Sequence, residues 1–137
     1  MKSYQLKLII VLALAGLFGC TFTQSYPPAL NDKKTAVIDS LKAKYGFEGV
    51  YFSAKKVSGS GGKHTSLEIK FVNGKRIPTD STQLIAFDGL LGSQIKSIVK
   101  SPKEFDTYII LLDKVTVNGN TTTDDYTSRE FRADELK

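Results

Sequence analysis

Phe105–Val117, Phe-Asp-Thr-Tyr-Ile-Ile-Leu-Leu-Asp-Lys-Val-Thr-Val, carries the strongest strand signal of the chain. Tyr108–Leu112 is apolar on both faces of an extended backbone, which predicts a strand in the interior of a sheet. Downstream, Asn118–Asp125 (Asn-Gly-Asn-Thr-Thr-Thr-Asp-Asp) reads as a long polar turn, and Tyr126–Leu136 as a charge-rich strand suited to an edge. Upstream, Asp80 or Ser81 opens a helix with Leu84, Phe87, Leu91, Ile95, Ile98 and Val99 along one side, Gly89 and Gly92 as weak points, and Pro102 as its stop.

The same order recurs earlier. Asp32 caps a first helix, in which Ala36, Val37, Leu41 and Tyr45 recur at helical spacing up to Gly46. Phe47–Val57 reads as a strand, Ser58–Gly62 as a flexible turn, and Thr65–Phe71 as a strand with Leu67, Ile69 and Phe71 on one face; Asn73-Gly74 ends it. The chain is thus helix-strand-strand twice. A shift of 58 aligns Phe47 with Phe105 and Lys56-Val57 with Lys114-Val115, and a shift of 62 aligns Thr65-Ser66-x-Glu68 with Thr127-Ser128-x-Glu130. A duplicated unit is one reading of these few identities and chance is the other. The expected fold is a two-layer α+β domain, an antiparallel four-stranded sheet with both helices on one face. In outline this layout is similar to small envelope lipoproteins and secreted enzyme inhibitors built of helix-plus-sheet repeats.

Composition narrows the chemistry. At 137 residues and 41% hydrophobic, with eight Phe and six Tyr, the chain supplies one core and little room for a second. A lone Cys excludes an internal disulfide or a Cys-based zinc cluster, and a lone His thins the ground for metal binding and base catalysis. No metal, cofactor or catalytic residue is expected.

The N-terminus carries an address. Lys2 and Lys7 precede an uncharged apolar run, Leu8–Gly19, of signal-peptide length and too short for a membrane span of about 20 residues. It ends at Leu17-Phe18-Gly19-Cys20, which resembles the lipobox of bacterial lipoproteins, with Phe18 bulkier than that pattern usually carries. The resemblance implies cleavage between Gly19 and Cys20 and acylation of the Cys20 thiol, so residues 1–19 form a signal peptide. Each acyl CH₂ contributes about 0.8 kcal/mol of membrane affinity, so two or three chains make an effectively permanent anchor. Thr21–Leu30 has no period and holds Pro27-Pro28, so 20–32 reads as a flexible tether and 33–137 as the folded domain. The resemblance places the protein in the cell envelope, by default on the outer membrane facing the periplasm. Cleavage removes Lys2 and Lys7 from the 19 basic residues, leaving 17 against 14 acidic ones. That balance is too mild to argue for nucleic acid.

His64 is the one imidazole, and Ser66 and Glu68 follow it on the same strand. Three residues in a row do not put the ring between nucleophile and acid, so His64 reads as a turn histidine. Asp124-Asp125 lacks the spacing of a calcium loop. If helices cover one face of the sheet, the other stays open. Tyr51, Ile109, Lys55 and Glu68 are then the candidate interface, exposed aromatic and apolar groups within a polar rim. The competing register buries Tyr51 and turns Val50, Phe52 and Ala54 outward. The expectation is a non-catalytic, lipid-anchored interaction module whose partner is an envelope protein or glycan. The alternative is an inhibitor or immunity-type lipoprotein blocking a secreted enzyme, with an envelope-polymer hydrolase a weaker third.

Overall fold

A computed structural model describes residues 21–137. Gly19 and Cys20, the expected cleavage and lipid-attachment residues, lie outside the described residues. The elements are β1 (Phe22–Tyr26), α1 (Lys34–Tyr45), β2 (Gly49–Gly59), β3 (Gly62–Val72), α2 (Ser81–Ile98), a 3₁₀ turn (Pro102–Glu104), β4 (Thr107–Asn118) and β5 (Thr121–Arg132). The α+β class is as expected, but the sheet is five-stranded and mixed, in the order β1-β2-β3-β4-β5. β3 and β4 run parallel. A strand that leaves the sheet through a helix and returns beside itself arrives parallel, and α2 is that crossover. Four antiparallel strands are therefore corrected on both count and direction.

The fifth strand comes from the segment expected to be a tether. Phe22–Tyr26 pairs antiparallel with Ala54–Ser58 of β2, so the folded domain begins at Phe22 and not at residue 33. Thr, Phe and Tyr favour extended backbone, a signal masked by the adjacent Pro27-Pro28. The second correction concerns Asn118–Asp125. Here Gly119-Asn120 alone make the turn, Gly119 with φ +61°, and Thr121 is already paired with Asn118. A two-residue Gly-Asn hairpin loop, with glycine at the positive-φ position and β-branched threonines following it, accounts for this.

The helix-strand-strand unit does occur twice, but the second alignment is two residues out. Leu67 stands opposite Ala54 and Thr127 opposite Leu112. Ala54 and Leu112 are 58 apart, so Thr127 occupies the place of Leu67 rather than that of Thr65.

Both helices pack on one face, over Ala54, Leu67, Ile69, Phe71, Tyr108, Ile110 and Leu112. α2 buries Phe87, Leu91, Ile95 and Ile98, the spacing of a single stripe. Asp80 caps it, its Oδ1 accepting from the Thr82 and Gln83 amides at 3.0 Å each. α1 starts without a side-chain cap, because Asn31 rather than Asp32 turns the entry by accepting from Lys33 N. Gly46 (φ +73°) stops α1, and Tyr45 meets Phe87 edge-on at 4.8 Å. Tyr108 is fully buried with its hydroxyl donating to Pro102 O, and burial pushes its phenol up to about 12. Arg129 on β5 reaches Asp88 on α2 at 2.9 Å; burial pushes the Asp88 carboxyl above its usual range and the arginine only partly opposes it.

Candidate binding face

The strand alternation places Val50, Phe52 and Ala54 toward the core and Tyr51 away from it, 61% exposed. This decides the register in favour of an outward Tyr51. On the face away from the helices, the pairing sets Ser53, Glu68, Ile109 and Glu130 side by side across four strands. The next row is Tyr51, Lys70, Leu111 and Ser128, and the row before is Lys55, Ser66, Thr107 and Arg132. Tyr51, Ile109, Lys55 and Glu68 therefore share one face, although Tyr51 and Ile109 sit in successive rows two strands apart.

Two ion pairs organise it. Lys55 Nζ lies 2.7 Å from Glu68 Oε2, a half-exposed contact worth well under 1 kcal/mol that mainly orients the two side chains. Lys70 Nζ lies 2.8 Å from Asp113 Oδ2, and the Asp113 side chain is almost wholly buried. The hydrogen bond to Asp113 holds the Lys70 ammonium above its usual range, with Asp124 and Glu68 adding to the effect. Asp113 Oδ1 has no partner among the described residues. Asp113 lies beneath Tyr126, its register neighbour on β5, which is 65% exposed. Together with Ile109, Leu111 and Asp124 these groups line a shallow groove of about 450 Å³. Ile109 and Leu111 explain why β4 is apolar on both sides: one face builds the core, the other floors this groove.

Tyr51 owes its position to Gly49. A Cβ at residue 49 would stand 2.6 Å from the Tyr51 ring, so the ring lies back over bare backbone two residues earlier on the same face. A second feature was invisible in the sequence. β3 ends at Val72 opposite Asp113, whereas β4 continues to Asn118. Lys114–Asn118 and Thr121–Asp125 thus project as a two-stranded arm beyond the body of the sheet. Asp124 and Asp125 stand on opposite faces of that arm rather than in a loop.

At the other end of the sheet, His64 does lie between a hydroxyl and a carboxylate, though not the ones on its own strand. Its Nε2 is 3.2 Å from Thr107 Oγ1 and its Nδ1 is 3.5 Å from Asp106 Oδ2. The carboxylate is already occupied: Asp106 Oδ2 accepts from Thr65 N at 2.7 Å and Thr65 Oγ1 at 3.0 Å. The backbone bond is the main reason its pKa is lowered. The Nδ1 contact exceeds hydrogen-bond length and the Thr107 residue is buried, so this cluster ties the start of β3 to the start of β4. Forty-two residues separate His64 from Asp106, and no spacing rule links them.

No protein-family model, curated protein or solved structure matches the chain. The face is therefore read from its own chemistry. Among the described residues no helix is long and apolar enough to cross a membrane.

Proposed function

We propose that this chain is a non-catalytic, lipid-anchored envelope protein that uses its helix-free sheet face to hold a protein partner. The observation that carries the reading is the face itself. Exposed Tyr51 and Tyr126 flank the half-buried Ile109 and Leu111, with paired charges around them. Four strands at about 4.8 Å and the seven residue rows they share at about 3.3 Å span roughly 440 Å², over half of the ~800 Å² one side of a stable protein interface needs. Rigid aromatics around an apolar centre are the composition of such interfaces. Asp124 and Glu130 make no ion pair among the described residues, so the face favours a partner offering basic side chains.

The arm beyond Val72 supports a second reading, an inhibitor or immunity-type lipoprotein that inserts Lys114–Asp125 into a secreted enzyme. Photo-cross-linking residues at Tyr51, Val117 and, as a control on the outer side of α1, Asp39 separate the two in the producing cell. Adducts from residue 51 alone support the face, and adducts from 117 alone support the arm. A pattern indifferent to position overturns both.

A further inference from the structure

β1 fixes which end of the domain the chain enters. Phe22 pairs with Ser58, beside the β2–β3 turn, so the chain arrives at the Gly59–Gly62 end of the sheet. Cys20 lies two residues before Phe22, within about 7 Å of extended chain. This end has a distinct surface. Phe22 is 66% exposed. Lys56 and Lys63 flank one shallow hollow beside β1, and Lys63 and Lys103 border a wider cleft of about 870 Å³ that also reaches His64 and Arg132.

The charges at this end are unequally committed. Of the acids, Asp106 is held by Thr65, and Asp134 pairs with Arg132. Glu104 shares the hollow with Lys56 and Lys63, and neither these two lysines nor Lys103 makes an ion pair among the described residues. An exposed aromatic ring beside uncommitted lysines, next to the point of acylation, fits the boundary between headgroups and acyl chains.

We infer that the β2–β3 turn end of the domain rests on the bilayer, with Phe22 entering the interface and Lys56, Lys63 and Lys103 on the phosphates of anionic phospholipid. The inference rests on the reading of Cys20 as acylated. Its consequence is an orientation. β4 runs away from this end for its 12 residues, so the arm tip at Gly119-Asn120 stands roughly 40 Å from the membrane. The binding face then stands upright, reachable from the side.

The chain contains no Trp, so Phe22→Trp and Val117→Trp each give a single fluorescent reporter in the full protein isolated from the producing cell. The vesicles are brominated phosphatidylcholine and phosphatidylglycerol. On them, emission from the Phe22→Trp protein is expected to shift to the blue and be quenched severalfold more than that from the Val117→Trp protein. Reversing charge at Lys56, Lys63 and Lys103 together, in the Phe22→Trp background, is expected to remove most of that quenching. Equal quenching at the two positions, or none at position 22, overturns the inference. Intact mass of the same samples keeps the anchor separate. Acylated protein with an unquenched reporter at position 22 refutes the docking alone. Unacylated protein with that reporter quenched refutes the anchor and retains the docking, and unacylated, unquenched protein refutes both.

Discussion

Replacing Asn73 separates two contributions to the root of the β4–β5 arm. This residue follows the last residue of β3 and adopts φ +54°, the left-handed region that Asn tolerates better than most residues. Its Oδ1 accepts from Val115 N at 2.8 Å, where the β4 backbone has lost its β3 neighbour. Its amide N donates to Asp113 O, and its Nδ2 donates to the exposed Glu48. Asn73→Gly keeps the backbone conformation and deletes the acceptor. Leaving a partly buried donor unpaired costs about 1–2 kcal/mol, and the Glu48 contact adds little. Asn73→Ala also forces a Cβ into the left-handed region and adds about 1 kcal/mol, for a total of roughly 2–3 kcal/mol. Urea unfolding of both variants measures the totals, and hydrogen exchange at the Val115 amide localises the first term. A Gly variant within a few tenths of a kcal/mol of the parent, with Val115 still protected, refutes the bond's role. Equal losses for Gly and Ala refute the conformational part.

Asp80→Ala is expected to cost about 1 kcal/mol in the same assay, with Asp80→Ser recovering most of it, because only an Ncap acceptor is lost. Gly89→Ala should stabilise by about 0.5–1 kcal/mol, since its Cβ meets Phe131 at an ordinary 3.7 Å. Gly92→Ala should gain less or lose, since its Cβ would press Leu136 at 2.9 Å; thermal melts rank the two. The Asp106 carboxyl is held below its ordinary value of 3.8 chiefly by the Thr65 N–H. Its stabilisation is present above about pH 4 and lost as pH falls through the lower folded value, so Asp106→Asn should flatten the acid limb of stability against pH. An unchanged limb in urea melts refutes that assignment.

What the sequence disclosed depended on how local the signal was. The Leu84–Ile98 stripe, the Asp80 cap, the Gly46 stop and the alternation from Leu67 to Phe71 are encoded within one or two turns of backbone, and each appears as read. Strand direction is not local. Yet helix-strand-strand twice in succession makes α2 a crossover, so the parallel β3–β4 pair was available to reasoning that followed connectivity. β1 was hidden because its five residues have no apolar partner on their own stretch and gain order from the edge of β2. The Tyr51 orientation was a choice between two registers, settled by the burial of Ala54 and Leu67 opposite one another. The groove and the arm could not be read at all, since both depend on how far β4 outruns β3.

Intact mass spectrometry of the native protein extracted from membranes bears most directly on the account, because the anchor supports both the proposed role and the orientation. A chain beginning at Cys20 and carrying acyl mass on that residue is expected, and Cys20→Ser protein that has lost residues 1–19 is expected to leave the membrane. A chain that still bears residues 1–19, or a Cys20 without acyl mass on protein that stays membrane-bound, contradicts the anchor.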